Sequence, residues 1–296
     1  MCFIRVEYMK KPLLWIMLIS ILVLFCGCGA QEPVQIAATT LPVYEFTSRL
    51  CEGTGITVGR IVTENVSCLH DYSLQVSQMR MIEEADAIVI SGGGLEDFLS
   101  DVLEEYSVID ASHGIALSCP EEEHEHDGHH HETDPHFWLS PVHAKTMVQN
   151  IYNGLSEKYP ENTDLFQKNL RALMIDLDTL QRYGIQELQV LDGRQMITFH
   201  DGFSYFAENF QLDILKAIEE ESGQEASAAE LKELIGLVET YQLPAVFTET
   251  NGSCSAADVI ASETGCALYS LDMAMSGDSY FTAMYHNIDT IKEALG

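Results

Sequence analysis

Residues 160–188 read PENTDLFQKNLRALMIDLDTLQRYGIQEL. Phe166, Leu170, Leu173, Leu177 and Leu180 recur there at spacings of four and three, which lines one face of an α-helix with apolar side chains. A helix from Pro160 to Leu188 is about 40 Å long. That is long for a helix packed on a single lobe, and it suits a rigid connector between two. The alternative is an ordinary long surface helix.

The flanks repeat one pattern. On the N-terminal side, strands are expected at Val34–Thr40, Ile56–Val62, Ala87–Ile90 and Val108–Asp110, with helices from Pro42 to Cys51, Ser77–Ala85 and Leu95–Tyr106. Gly92-Gly93-Gly94 stops the third strand. Ser140-Pro141 reads as an N-cap with Pro at the first helical position, opening a helix to about Lys158. After Asp192-Gly193, strands at Gln195–Phe199, Leu212–Ala217, Pro244–Thr248 and Ala267–Leu271 alternate with helices at Asp201–Asn209, Ser227–Tyr241, Ser255–Thr264 and Ser279–Ala294. Ser227 and Glu230 have capping-box spacing. Alternating strands and helices argue parallel sheets flanked by helices. The expected fold is α/β, with an N-terminal lobe at 34–158, a linker helix at 159–190 and a C-terminal lobe at 191–296.

The chain start points out of the cytoplasm. Lys10 and Lys11 precede an apolar run from Leu13 to Cys26 broken only by Ser20, too short for a comfortable membrane span. Residues 1–27 therefore read as a signal peptide, and Gly27-Cys28 resembles a bacterial lipoprotein cleavage site. Cys28 would be the lipidated first residue, anchoring the chain to the outer face of the cell membrane. A plain signal peptide or a single anchor helix is the alternative, and Met9 is a second candidate start. Of 15 basic and 46 acidic side chains, three and one fall in the first 27 residues, which leaves 12 and 45, net −33, for the mature chain. So acidic a surface disfavours nucleic acid and anionic membranes. The 46% hydrophobic content suffices for two ordinary cores. With Cys28 set aside for the lipid, the mature chain keeps Cys51, Cys68, Cys119, Cys254 and Cys266, an odd number. Cys254 and Cys266 flank a predicted helix and could be bridged. Without a CxxC pair, a cysteine-based structural zinc site is not expected.

One segment breaks the alternation. Residues 119–134 are almost entirely Glu, His, Asp and Gly, with His124, His126, His129, His130 and His131, and then Asp134-Pro135-His136-Phe137-Trp138 follows. With too little apolar area to offset ordering entropy, the segment reads as a disordered loop. Imidazole is the commonest protein ligand for zinc and binds as the neutral base. A fixed histidine after a Pro turn, beside a loose collector of weaker sites, suggests capture of a transition metal; a solvated charged insertion is the plainer reading of the loop. Four candidate ligands fall just after strands: His70, His136, His200 and Asp272. Open α/β sheets gather ligands outside the carboxyl ends of their strands. His70 and His136 come from the first lobe, His200 and Asp272 from the second. Three imidazoles and one carboxylate suit Zn²⁺ and tolerate Mn²⁺.

His70-Asp71-Tyr72, Asp134 to Pro141, Thr198-Phe199-His200-Asp201 with Tyr205-Phe206, and Gly277-Asp278-Ser279-Tyr280 together resemble the metal-binding solute receptors of ABC uptake systems. The resemblance spans about residues 34–296. It implies two α/β lobes, a rigid linking helix and one metal in the cleft. His70, His136 and His200 match the family's histidine ligands, Asp272 its carboxylate, and Glu249 a recurrent cleft glutamate behind the ligands. Leu69 stands where the family usually has Pro, and Ser140 where it usually has Asp. A third imidazole in place of a carboxylate, with an acidic His loop, resembles the zinc branch rather than the manganese branch. The implied role is a monomeric, lipid-anchored binding protein, not an enzyme, that hands Zn²⁺ to an ABC permease. A secreted zinc hydrolase is a rival, but no HExxH is present. An adhesin or metal-buffering lipoprotein without a permease is another.

Overall fold

The computed structural model describes residues 33–64, 66, 69, 72–118, 133–219, 226–250 and 255–296. The leader 1–27, Cys28, His70, the loop histidines His124, His126, His129, His130 and His131, and Cys68, Cys119 and Cys254 lie outside the described residues. Val34–Gly296 packs as one unit.

The first lobe is built on β1 (Ile36–Ala38), a strand buried at every position. Small side chains let β2 (Val58–Arg60) and β3 (Ala87–Ile90) flank it, both parallel, and β4 (Val108–Asp110) extends the sheet in the order β2-β1-β3-β4. Ile61 and Val62, expected as strand, still donate to the carbonyls of Ala38 and Thr39. Between β1 and β2 runs α1 (Leu41–Leu50), opened by Pro42, and α2 (Val76–Glu84) precedes β3.

The expected helix at Leu95–Tyr106 is instead a 3₁₀ turn, Asp97–Leu99, and a short α3 (Ser100–Leu103). Glu96 is the physical reason. Its carboxylate is turned inward, accepting from Thr39 Oγ1 at 2.6 Å, Ser91 N at 2.8 Å and Gly92 N at 2.9 Å. It thereby ties the ends of β1 and β3 together. Gly92, Gly93 and Gly94 all take positive φ in the turn that allows this, a conformation that a side chain would strain.

The helix α4 (Pro141–Lys158) has the expected bounds, but the Ser140 hydroxyl does not cap it; it donates to Asn209 Oδ1 at 3.2 Å. The connector α5 (Thr163–Leu188) follows a 3₁₀ turn at Pro160–Asn162. Its 26 residues span about 39 Å. Phe166, Leu170, Leu173, Leu177 and Leu180 are all buried, as the spacing predicts. This stripe lies against α1 and α4 of the first lobe and α9 (Tyr280–Leu295) of the second. Lys145–Asp178, Arg49–Asp176 and Lys292–Glu187 ion pairs fasten the same three helices to it.

In the second lobe, β5 (Gln195–His200) pairs with β6 (Asp213–Glu219), and β7 (Ala245–Glu249) with β8 (Ala267–Leu271), all parallel. β5 lies beside β7, with the two pairs forming separate two-stranded ladders. Alternation along the strands feeds two cores. Met196, Ala245 and Phe247 face the main core with the connector. Ile197, Phe199 and Val246 face a second core under α7 (Ala228–Tyr241) and α8 (Ser255–Thr264). The predicted capping box opens α7, with Glu230 N donating to Ser227 Oγ at 3.3 Å and Ser227 N to the Glu230 carboxylate at 2.6 Å. Helix α6 (Ser204–Phe210) starts three residues later than expected. Cys266 is a free thiol, and Cys254, its expected partner, lies outside the described residues. No helix among the described residues is long and apolar enough to cross a membrane.

Candidate metal centre

The lobes meet around one aromatic post. Trp138, fully buried, donates from Nε1 to the Met273 carbonyl at 2.8 Å, and Tyr280 Oη donates to the Trp138 carbonyl at 2.9 Å. Glu45 of α1 reaches the start of α9 and accepts from Tyr280 N at 2.6 Å, a carboxylate at a helix N-terminus. Burial lifts the Glu45 carboxyl above its ordinary value, against those hydrogen bonds. These contacts fix the rims from which the site is built.

His136 precedes the 3₁₀ turn Phe137–Leu139, and His200 is the last residue of β5. Both are buried, 4% and 3% exposed. Their Nε2 atoms lie 3.4 Å apart and their rings are nearly perpendicular, at 84°. That separation is long for an N–H···N hydrogen bond. It matches the edge of a tetrahedron around zinc, about 3.35 Å for two nitrogens each ~2.05 Å from the ion. Asp134 determines how His136 is presented. Its Oδ1 accepts from His136 N at 2.9 Å and lies 2.8 Å from His136 Nδ1. A carboxylate only accepts, so this contact favours the Nδ1–H tautomer of the imidazole, the one whose Nε2 lone pair faces His200.

Gly202 closes the floor. A Cβ there would lie 2.9 Å from His200 Cδ2, 3.2 Å from His136 Cγ and 2.5 Å from Met273 Cε. This explains the late start of α6, because Asp201-Gly202-Phe203 turn beneath the two rings before the helix begins. Asp272 follows β8 at the same end of the sheet. Its Oδ1 accepts from Ala274 N at 2.7 Å, and its backbone is held on both sides by the Asn287 amide. Glu249, the last residue of β7, is 4% exposed and pairs in register with Leu271, next to Asp272. Of the sequence-derived ligands, then, His136 and His200 come together; Asp272 follows β8, beside the end of β7, where Glu249, expected behind the ligands, is placed. Among the described residues no group of three metal-ligating side chains forms; His70 is outside them.

The profile of the family described as "Zinc-uptake complex component A periplasmic" matches residues 36–294. The chain belongs to this family. Zinc-binding lipoprotein AdcA of Streptococcus pneumoniae (strain ATCC BAA-255 / R6) is 30% identical over 317 residues, covering 96% of this chain and 61% of its own length. The chain thus spans about three fifths of the length of the AdcA relatives it matches. Among solved structures, the crystal structure of ZnuA superimposes with a TM-score of 0.79 at 30% identity, covering 89% of this chain and 100% of that one. The Zn(II)-bound ZnuA-like domain of Streptococcus pneumoniae AdcA gives 0.75 at 27% identity, over 89% and 99%. The two-lobed fold with its connecting helix is that of the zinc-uptake component family. Asp134 and Tyr205 stand in the sequence only as parts of longer motifs; the trace of their role is the acidic residue two places before His136, a spacing that lets a short turn bring the carboxylate onto Nδ1.

Proposed function

We propose that the protein is an extracytoplasmic Zn²⁺ receptor that binds its cargo between the lobes and delivers it to an ABC permease. The observation that carries this reading is the His136–His200 pair, one imidazole from each lobe, 3.4 Å apart. Two nitrogens on one tetrahedral zinc stand about that far apart. His70 and Asp272 complete the ligand set in this reading, with Glu249 behind them and Cys28 as the lipid anchor. The lobes take the bounds 34–158 and 191–296, joined by 159–190. The relatives named as zinc-binding support zinc as the ion, as does the nitrogen-rich donor set. The protein's work is binding rather than chemistry, and it is proposed to act as a monomer. Burial of both rings removes competing water, so the ion exchanges its hydration for fixed lone pairs.

Chelator-competition titration of the mature chain from Gln31 tests this. His136→Ala and His200→Ala should each lower zinc affinity by more than about 100-fold, beyond what loss of an orienting partner alone costs, with the circular dichroism of the fold retained. Unchanged affinity in both variants would remove the site assignment. Deletion of the gene should impair growth only when zinc is scarce; normal growth in low zinc would favour a surface protein without a permease.

A further inference from the structure

We infer that Tyr205 is a positioning residue for the metal site, a clamp from the second lobe that holds the Asp134 turn and, through it, the ring of His136. The inference rests on the receptor reading above. Tyr205 stands in the first turn of α6, five residues after His200, and its ring is 1% exposed. Its hydroxyl donates to the Asp134 carbonyl at 2.9 Å and accepts from Ser118 N at 2.8 Å. Asp134 N in turn donates to the Ser118 carbonyl at 2.8 Å. Ser118 and Asp134 are thus joined like a hydrogen-bonded antiparallel pair in which one of the two bonds is direct and the phenol is inserted into the other.

The consequence follows from connectivity. The Asp134 carboxylate favours the Nδ1–H tautomer of His136, and Tyr205 fixes the peptide of Asp134. The same short segment, 200–205, therefore carries one candidate ligand and holds the orienter of the other. The phenol ring packs edge-on to Phe137 and His143. Burial raises the Tyr205 pKa above its ordinary value, consistent with a neutral hydroxyl that can both donate and accept. Without that hydroxyl the ring can stay packed while the Asp134 peptide loses its tether to the second lobe.

The test is Tyr205→Phe in the mature chain from Gln31, read in two ways. In the metal-free protein, ¹⁵N NMR of the His136 ring should show the Nδ1–H tautomer in the wild type and a mixture in the variant. Zinc affinity should fall by about 10–100-fold, the range for loss of a group that orients a ligand. Combining Tyr205→Phe with Asp134→Asn should cost no more than the larger single loss, because both act through one ring. A variant with the wild-type tautomer, or an affinity within about twofold of wild type, overturns the inference. If Tyr205→Phe does not fold, amide exchange in the wild type decides: zinc loading should slow exchange at Ser118, since coupling between clamp and metal is reciprocal, and an unchanged rate overturns the proposal. A wild-type chain that takes up neither zinc nor manganese would sink the receptor reading instead, and the tautomer of His136 would still test the clamp.

Discussion

Gly202 shows how little space separates the two candidate ligands. A methyl group added there meets both imidazoles and the Met273 side chain at 2.5–3.2 Å. Gly202→Ala should therefore displace His200 or His136 and lower zinc affinity about tenfold or more, because binding geometry this tight responds to sub-ångström shifts. Thermal melting should change much less than affinity; an unaltered Kd would mean that the rings are free to move aside. Glu96 gives a second residue-scale expectation. Burial outweighs the three hydrogen bonds that it accepts and pushes its carboxyl up to about 7. A carboxyl whose folded pKa is raised stabilises the fold most below its unfolded value, near 4.5, and that stability is lost as pH rises through about 7. From pH 5 to pH 8 the wild type should lose about 2–3 kcal/mol more unfolding free energy than Glu96→Gln. Urea melts at the two pH values check this, and parallel losses in both proteins would contradict it. Neither Glu96 nor Asp134 was legible in the sequence as an inward-facing group. Both sit in polar, turn-like stretches, and only the folded chain shows which way such a carboxylate points.

At the scale of elements, the sequence was most informative where periodicity is long. The five apolar positions of α5 predicted its buried face, because a stripe repeated over many turns has only one way to face a core. Short or interrupted segments were read less well. The expected Leu95–Tyr106 helix is broken because Glu96 bonds back to Thr39, Ser91 and Gly92, a tertiary demand that local propensity does not encode. Gly184 lets α5 approach the second lobe closely: a Cβ there would lie 2.3 Å from Phe210 Cε1 and 3.0 Å from Ile288 Cδ1. Gly184→Ala should destabilise the fold by about 1–3 kcal/mol through overpacking, even though Ala favours helices. Denaturant melts should show that loss while zinc affinity stays close to wild type. A stabilised variant would mean that the two helices slide apart without cost.

At the scale of the whole molecule, His136 is anchored by contacts made outside the run of histidines that precedes it in sequence. Ser118 and Asp134 are bonded directly and through Tyr205, so the candidate ligand after them is held independently of the residues between. Deleting Glu121–Thr133 leaves Cys119-Pro120 to join them, the length of a tight hairpin loop. The tight zinc should remain and only weak extra zinc should disappear; loss of the tight zinc would place the insertion inside the site. The sequence carried the alternation of strands and helices and the connector between them; of the ligands expected just after strands, His200 ends β5 and Asp272 follows β8, whereas His136 precedes a 3₁₀ turn rather than closing a strand. It did not carry their mutual distance, which depends on how the connector sets one lobe against the other.

The most direct test is native mass spectrometry of the chain from Gln31 with zinc and manganese offered together. The account predicts one tightly held zinc per monomer, with further zinc ions that a mild chelator strips. Tight manganese, or no tightly held ion, would contradict it.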